Sequence, residues 1–159
     1  MPAQTITLSR ESRRVAGLLL LSIVGVESGG YYLTKVASGQ EQLTDFQESF
    51  SRAGHAHAGV LVTLALIIVV LADATALRGP LGYVARLGVP VAAILMPAGF
   101  FLSSTGTGTT EPNGAIVLLW LGALSLAVGV VTTGLALAVS GFRREPEPTA
   151  KPDLTLTNS

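Results

Sequence analysis

Between Ala58 and Ala72 the chain carries no charged side chain and a single threonine. Apolar residues there occupy every position around a helix, so no water-facing stripe can form. Three further segments share the pattern. Crossing a bilayer takes about 20 mainly apolar residues, and the four candidate spans fall at about 15–36, 55–76, 84–104 and 115–139. None alternates polar and apolar residues as a membrane β-strand does. A soluble four-helix bundle would need a charged outer face, which these segments lack. Inside a membrane every backbone amide must be bonded within its own segment, so the spans are expected to be helices. The expected fold is all-α: a polytopic membrane protein with four transmembrane helices in an antiparallel bundle.

Composition supports the same class. Only 13% of the 159 residues are charged and mean hydropathy is +0.58, against about 25% charged residues in a soluble domain. A formal net charge of zero gives nucleic acid no electrostatic hold, so it is excluded as a partner. The absence of cysteine excludes disulfides, thiolate catalysis, Cys-ligated zinc and iron–sulfur centres.

Orientation follows from the basic residues. Arg10, Arg13 and Arg14 precede the first span, Arg78 and Arg86 flank the second connection, and Arg143, Arg144 and Lys151 follow the fourth span. Of the ten basic residues only Lys35 and Arg52 fall on the opposite side. Basic connections stay cytoplasmic, so both termini are expected to face the cytoplasm, with the cell membrane as the location and its lipid bilayer as a partner. The arginines, a short apolar core and Val26-Glu27-Ser28 imitate a signal peptide. The continuation from Gly29 to Val36 and the acidic residue beside the would-be cut favour an uncleaved first span.

The transmembrane domain is expected over 1–142. The segment 143–159, with Pro146, Pro148 and Pro152 among mixed charges, reads as a disordered cytoplasmic tail. Ser103 to Asn113, rich in Ser, Thr and Gly, reads as a flexible external loop. In the first external loop, Thr44 followed three residues later by Gln47 fits a capping box. Leu43, Phe46, Phe50 and Ala53 then recur at helical spacing. The expectation is a short amphipathic helix over 44–53 at the outer membrane surface, entering the second span through Gly54.

The polar residues inside the spans carry the functional reading. Glu27 lies about 18 Å up a helix that starts at Val15. An ionised carboxylate at that depth costs several kcal/mol unless it is paired, neutral or facing a wet cavity. Tyr31 and Lys35 follow at i+4 and i+8 on the same side, and Gly25 and Gly29 form a GxxxG pair that permits close helix approach. Glu27 and Tyr31 are therefore expected to line a proton- or ligand-binding pocket in the outer half of the membrane, screened by a neighbouring helix.

His55 and His57 stand at the outer entrance of the second span. Two residues on a helix differ by about 200°, so the rings diverge and cannot chelate one metal together. His57 is the one expected to approach Glu27 or Tyr31 as a second titrating group, and His55 to sit at headgroup level. Asp73 is expected to pair with Arg78 or reach cytoplasmic water. Pro90 and Pro97 are candidate kinks in the third span. Gly122, Gly129, Thr133 and Gly134 read as packing positions in the fourth.

No nucleophile stands beside a base and an orienting group, so the leading reading is non-enzymatic. It is an accessory or ligand-binding membrane subunit with a protonatable pocket at Glu27, Tyr31 and His57, working alone, as a homo-oligomer or in a larger membrane complex. Two resemblances supply alternatives. The His-Ala-His step opening the second span resembles the haem-ligating helix of haem–copper oxidase core subunits. That implies haem, which two copies would have to share because this chain offers no second axial histidine on another helix. A transition metal on His55 and His57 would likewise need ligands from elsewhere, so the expectation is no cofactor. Four spans with a carboxylate in the first resemble the small multidrug resistance transporters in layout, which implies proton-coupled transport by an oligomer.

Overall fold

The computed structural model describes residues 7–142; residues 1–6 and the expected tail at 143–159 lie outside the described residues. The described chain forms four helices: α1 (Arg10–Ala37), α2 (Asp45–Asp73), α3 (Gly79–Ser103) and α4 (Val117–Phe142). A single 3-10 turn, Gly114–Ile116, leads into α4. All four are long and apolar enough to cross a membrane.

Local chemistry sets each boundary. The Ser9 side chain accepts a hydrogen bond from the Ser12 amide and caps α1. Gly39, at φ +73°, ends that helix in a left-handed conformation that a side chain would resist. Thr44 and Gln47 form the anticipated capping box, each side chain accepting from the other's backbone amide. Pro80 stands in the first turn of α3, where its missing N–H costs nothing. Asn113 accepts from the Ala115 amide and opens the turn before α4.

Each helix packs on the next one in sequence, and among the described residues α1 and α4 do not touch. The helices thus form a folded row with α2 and α3 at its centre, where an enclosed bundle would have closed α1 onto α4. The core holds Ala65, Val69, Val89 and Ala92, all fully buried, together with Leu61 and Met96.

The α3–α4 seam is the tightest. A Cβ built on Gly88 would lie 2.6 Å from the Gly129 Cα, one on Gly99 would lie 2.5 Å from the Leu119 nitrogen, and one on Gly122 would lie 2.6 Å from the Met96 side chain. Backbones this close admit only glycine. Hydroxyl groups supplement the contact: Ser125 donates to the Gly88 carbonyl at 2.8 Å, and buried Thr133 donates to the carbonyls of Gly129 and Ala85. Gly122, Gly129 and Thr133 are thus packing positions as expected, whereas Gly134 is exposed. Pro90 and Pro97 are both buried, and α3 continues through them from Gly79 to Ser103.

Two expectations for the external side change. Residues 45–53 are the first turns of α2 itself, which at 29 residues is about 43 Å long and exceeds the roughly 30 Å hydrocarbon core. Their apolar face is spent on α3: the Phe46 and Phe50 rings lie 4.3 Å apart, and Phe50 meets Phe100 edge-on at 5.4 Å. The Ser103–Asn113 loop is latched where a flexible loop was expected. Gln47 donates from Nε2 to the carbonyls of Ser104 and Gly106, Thr44 donates to the Thr109 carbonyl, and the Asn113 amide bonds the Ser103 carbonyl. The capping box of α2 therefore also fastens the loop that leads to α4.

Candidate functional site

Glu27 is exposed, as are Tyr31 and Ser28 beside it. The face that α1 gives to α2 runs through Leu19, Val26, Gly29 and Gly30. Val26 meets Gly59, and the His55 ring covers Gly29 and Gly30. Glu27 is about 100° around the helix from Val26. It is nine residues from Leu18, which places those two side chains about half a turn apart. Leu18 borders a groove between α1 and α3, so Glu27 points to the flank of α1 that no other helix of this chain covers. The expected pocket around Glu27 and Tyr31 is therefore not enclosed by this chain's own helices. Tyr31, 66% exposed, instead lies beneath the Lys35 ammonium, 5.0 Å from the ring centre. The GxxxG pair divides as well: Gly29 receives His55, while nothing comes within 4 Å of a Cβ on Gly25.

The histidines take the opposite roles to those expected. His57 turns to α3, where its ring lies 4.9 Å from the Phe100 ring and its Nδ1 is 2.8 Å from the Ala53 carbonyl. A carbonyl can only accept, so the proton sits on Nδ1 and Nε2 carries the lone pair in neutral His57. His55 is the ring that reaches α1: a Cβ on Gly30 would meet its Cε1 at 3.2 Å. The divergence follows from the two-residue spacing; the sequence did not say which ring faced which helix. Among the described residues no three His, Cys, Asp or Glu side chains gather closely enough to hold a metal ion.

The strongest polar constellation lies at the other end of the molecule. The Asp73 side chain is only 3% exposed, and its Oδ1 accepts from Nε and Nη2 of Arg86, both at 3.0 Å. Its Oδ2 accepts from the Ser9 amide at 2.7 Å. Arg86 donates further to the Gly82 carbonyl, and Ser12, fully buried, bonds the Ser9 hydroxyl. One carboxylate thus joins the start of α1, the end of α2 and the second turn of α3. This corrects the expected pairing of Asp73 with Arg78, which is exposed. The signal was present in the short α2–α3 connection: a tight turn returns α3 alongside the end of α2, so an arginine two turns in can reach back.

Comparison with protein-family models, curated proteins and solved structures returns no match for this chain. The arrangement itself can do three things: clamp three helices through the Asp73 carboxylate, pack α3 on α4 at backbone contact, and display the Glu27 carboxylate on an exposed side of α1.

Proposed function

We propose that this chain is a non-enzymatic accessory subunit of a membrane assembly, and that α1 is its docking helix. In this reading the helices run antiparallel and both termini lie on the cytoplasmic side of the cell membrane, as the distribution of arginines favours. The observation that carries the reading is Glu27: an exposed carboxylate within an apolar span, on the broad side of α1 that the chain leaves uncovered. Lipid is a poor neighbour for that group, and a polar partner helix is a good one. The protonatable pocket is then completed at the interface, with Glu27 and Tyr31 contributed by this chain.

The test is crosslinking in native membranes. A photoreactive residue at Val24, on the Glu27 flank, should give a product heavier than the single chain. The same residue at Val130 of α4 or Ile67 of α2 should give far less. Glu27→Leu should abolish the Val24 product and Glu27→Gln should weaken it. Equal products from all three faces, or a lone chain by native mass after mild extraction, would overturn the proposal.

The same exposed carboxylate also suits the oligomeric transporter reading, because it would lie between copies. Proton uptake into proteoliposomes separates the two: equal flux for wild type and Glu27→Gln at every pH removes transport. An absorption spectrum with elemental analysis tests haem or metal on His55 and His57.

A further inference from the structure

We infer that the groove between α1 and α3 is a binding site for one acyl chain of an anionic phospholipid, with Arg14 holding the headgroup. The groove encloses about 320 Å³. Its walls are Leu18 and Ser22 on one side and Leu87 and Val91 on the other, with Ala58 and Val62 of α2 as the floor. Ser22 is its one polar side chain, and that hydroxyl is already committed to the Leu19 carbonyl at 2.7 Å. No unspent side-chain donor remains to hold a polar ligand. The occupant that matches is plain hydrocarbon.

Length and position select a lipid tail. On α1 the groove runs from Val15 to Val26, about 16 Å along the helix. That equals one leaflet of hydrocarbon, half of the roughly 30 Å core. At the mouth the chemistry changes sign. Arg14 stands one turn before Leu18 on the same face of α1 and is exposed. Tyr83 stands one turn before Leu87 on α3 and is 61% exposed, at the depth where aromatic residues favour the headgroup region. A cation one turn before Leu18, with a phenol one turn before Leu87 that also borders the α3–α4 groove, suits an anionic headgroup joined to a fatty chain. Arg10 stands a further turn away from the groove on α1, and Arg86 is already engaged with Asp73. Arg13 lies about 140° around α1 from Leu18 and faces elsewhere.

The site can be tested by native mass spectrometry of the detergent-purified chain with phosphatidylglycerol or phosphatidylcholine of the same acyl composition. The wild type should retain the anionic lipid about fivefold more than the zwitterionic one, the effect expected of one arginine near a membrane surface. Arg14→Ala should remove that preference, and Arg13→Ala should preserve it. Ser22→Phe, which fills the groove, should lower retention of both lipids. If that variant fails to fold, Leu18→Trp at the exposed rim closes the same channel. Equal retention of the two lipids by the wild type would overturn the assignment. So would retention unchanged by blocking the groove, or equal losses with Arg13→Ala and Arg14→Ala.

Discussion

Helix α4 and helix α1 stand at opposite ends of the row, and they are held in different ways. α4 meets α3 at backbone contact through Gly88, Gly99, Gly122 and Gly129, with two hydroxyl groups bonded across the seam. α1 meets α2 through a looser set of contacts in which the His55 ring occupies the space that small residues would otherwise close. Of its residues only Ser12 and Leu19 are buried. Both helices have apolar outer faces, so burial alone does not separate them. The separation lies in where polar groups go. On α4, Ser125 and Thr133 are turned inward and satisfied within the chain. On α1, Glu27 is turned outward. One end of the molecule is complete in itself, and the other displays the group that lipid suits least.

The largest test of this contrast is at the clamp, where Asp73, paired with Arg86 of α3, also accepts from the Ser9 amide and so fastens the start of α1. Asp73→Ala leaves the Arg86 guanidinium and the Ser9 amide without their acceptor. Removing the acceptor from a part-buried pair costs about 2–3 kcal/mol, and unfolding in mixed detergent should register it. α1 should loosen first, seen as faster exchange of its amides while those of α3 and α4 stay protected. Replacing both partners, Asp73→Leu with Arg86→Met, should recover much of the loss, because no uncompensated charge remains. If α4 loosens together with α1, the two ends are not independent.

Next comes the seam itself. Gly88→Val forces a side chain against the Gly129 backbone, where a Cβ alone would sit 2.6 Å away. Overpacking of this kind costs about 1–3 kcal/mol. Gly25→Val, on α1, meets nothing within 4 Å and should change stability by less than about 0.5 kcal/mol. Equal losses from the two variants would erase the distinction. A smaller effect is expected at the external latch. Gln47→Ala removes half of the capping box and two bonds to the Ser104–Gly106 loop. The loss should be about 1 kcal/mol, with proteolysis newly admitted within the loop.

The contrast also explains what could be read in advance. Length and hydropathy fix the existence and approximate extent of each helix, because both depend only on counting residues along the chain. Thr44 and Gln47 announce the start of α2, whereas the Ser9 cap went unread and α1 begins at Arg10, ahead of the expected Val15. Azimuth is another matter. Counting residues put Glu27 well inside the first candidate span, but whether it faced α2 or the outside depended on which flank of α1 docked, and that choice involves residues of α2. The histidines illustrate the same limit: their two-residue spacing made divergence certain, yet the partners, Gly30 for His55 and Phe100 for His57, belong to other helices. The Asp73–Arg86 pair escaped notice for a related reason. Arg78 is nearer in sequence, but Arg86 is nearer once α3 turns back along α2.

The smallest expected change in stability is the one that separates the two ends most sharply. Glu27→Leu removes an exposed carboxylate that touches no other helix of this chain, so the isolated protein should keep its stability within about 0.5 kcal/mol. Thr133→Val, at an inward-facing polar position on α4, strips a buried hydroxyl from two carbonyls and should cost about 1 kcal/mol in the isolated protein. In native membranes the order should reverse. Glu27→Leu should release the α1 crosslink described above, and Thr133→Val should leave it in place. A side chain that matters to assembly but not to the lone fold is the mark of a surface built for another helix. If Glu27→Leu instead destabilised the isolated protein as much as Thr133→Val, Glu27 would be serving this chain's own packing, and α1 would be no less complete than α4.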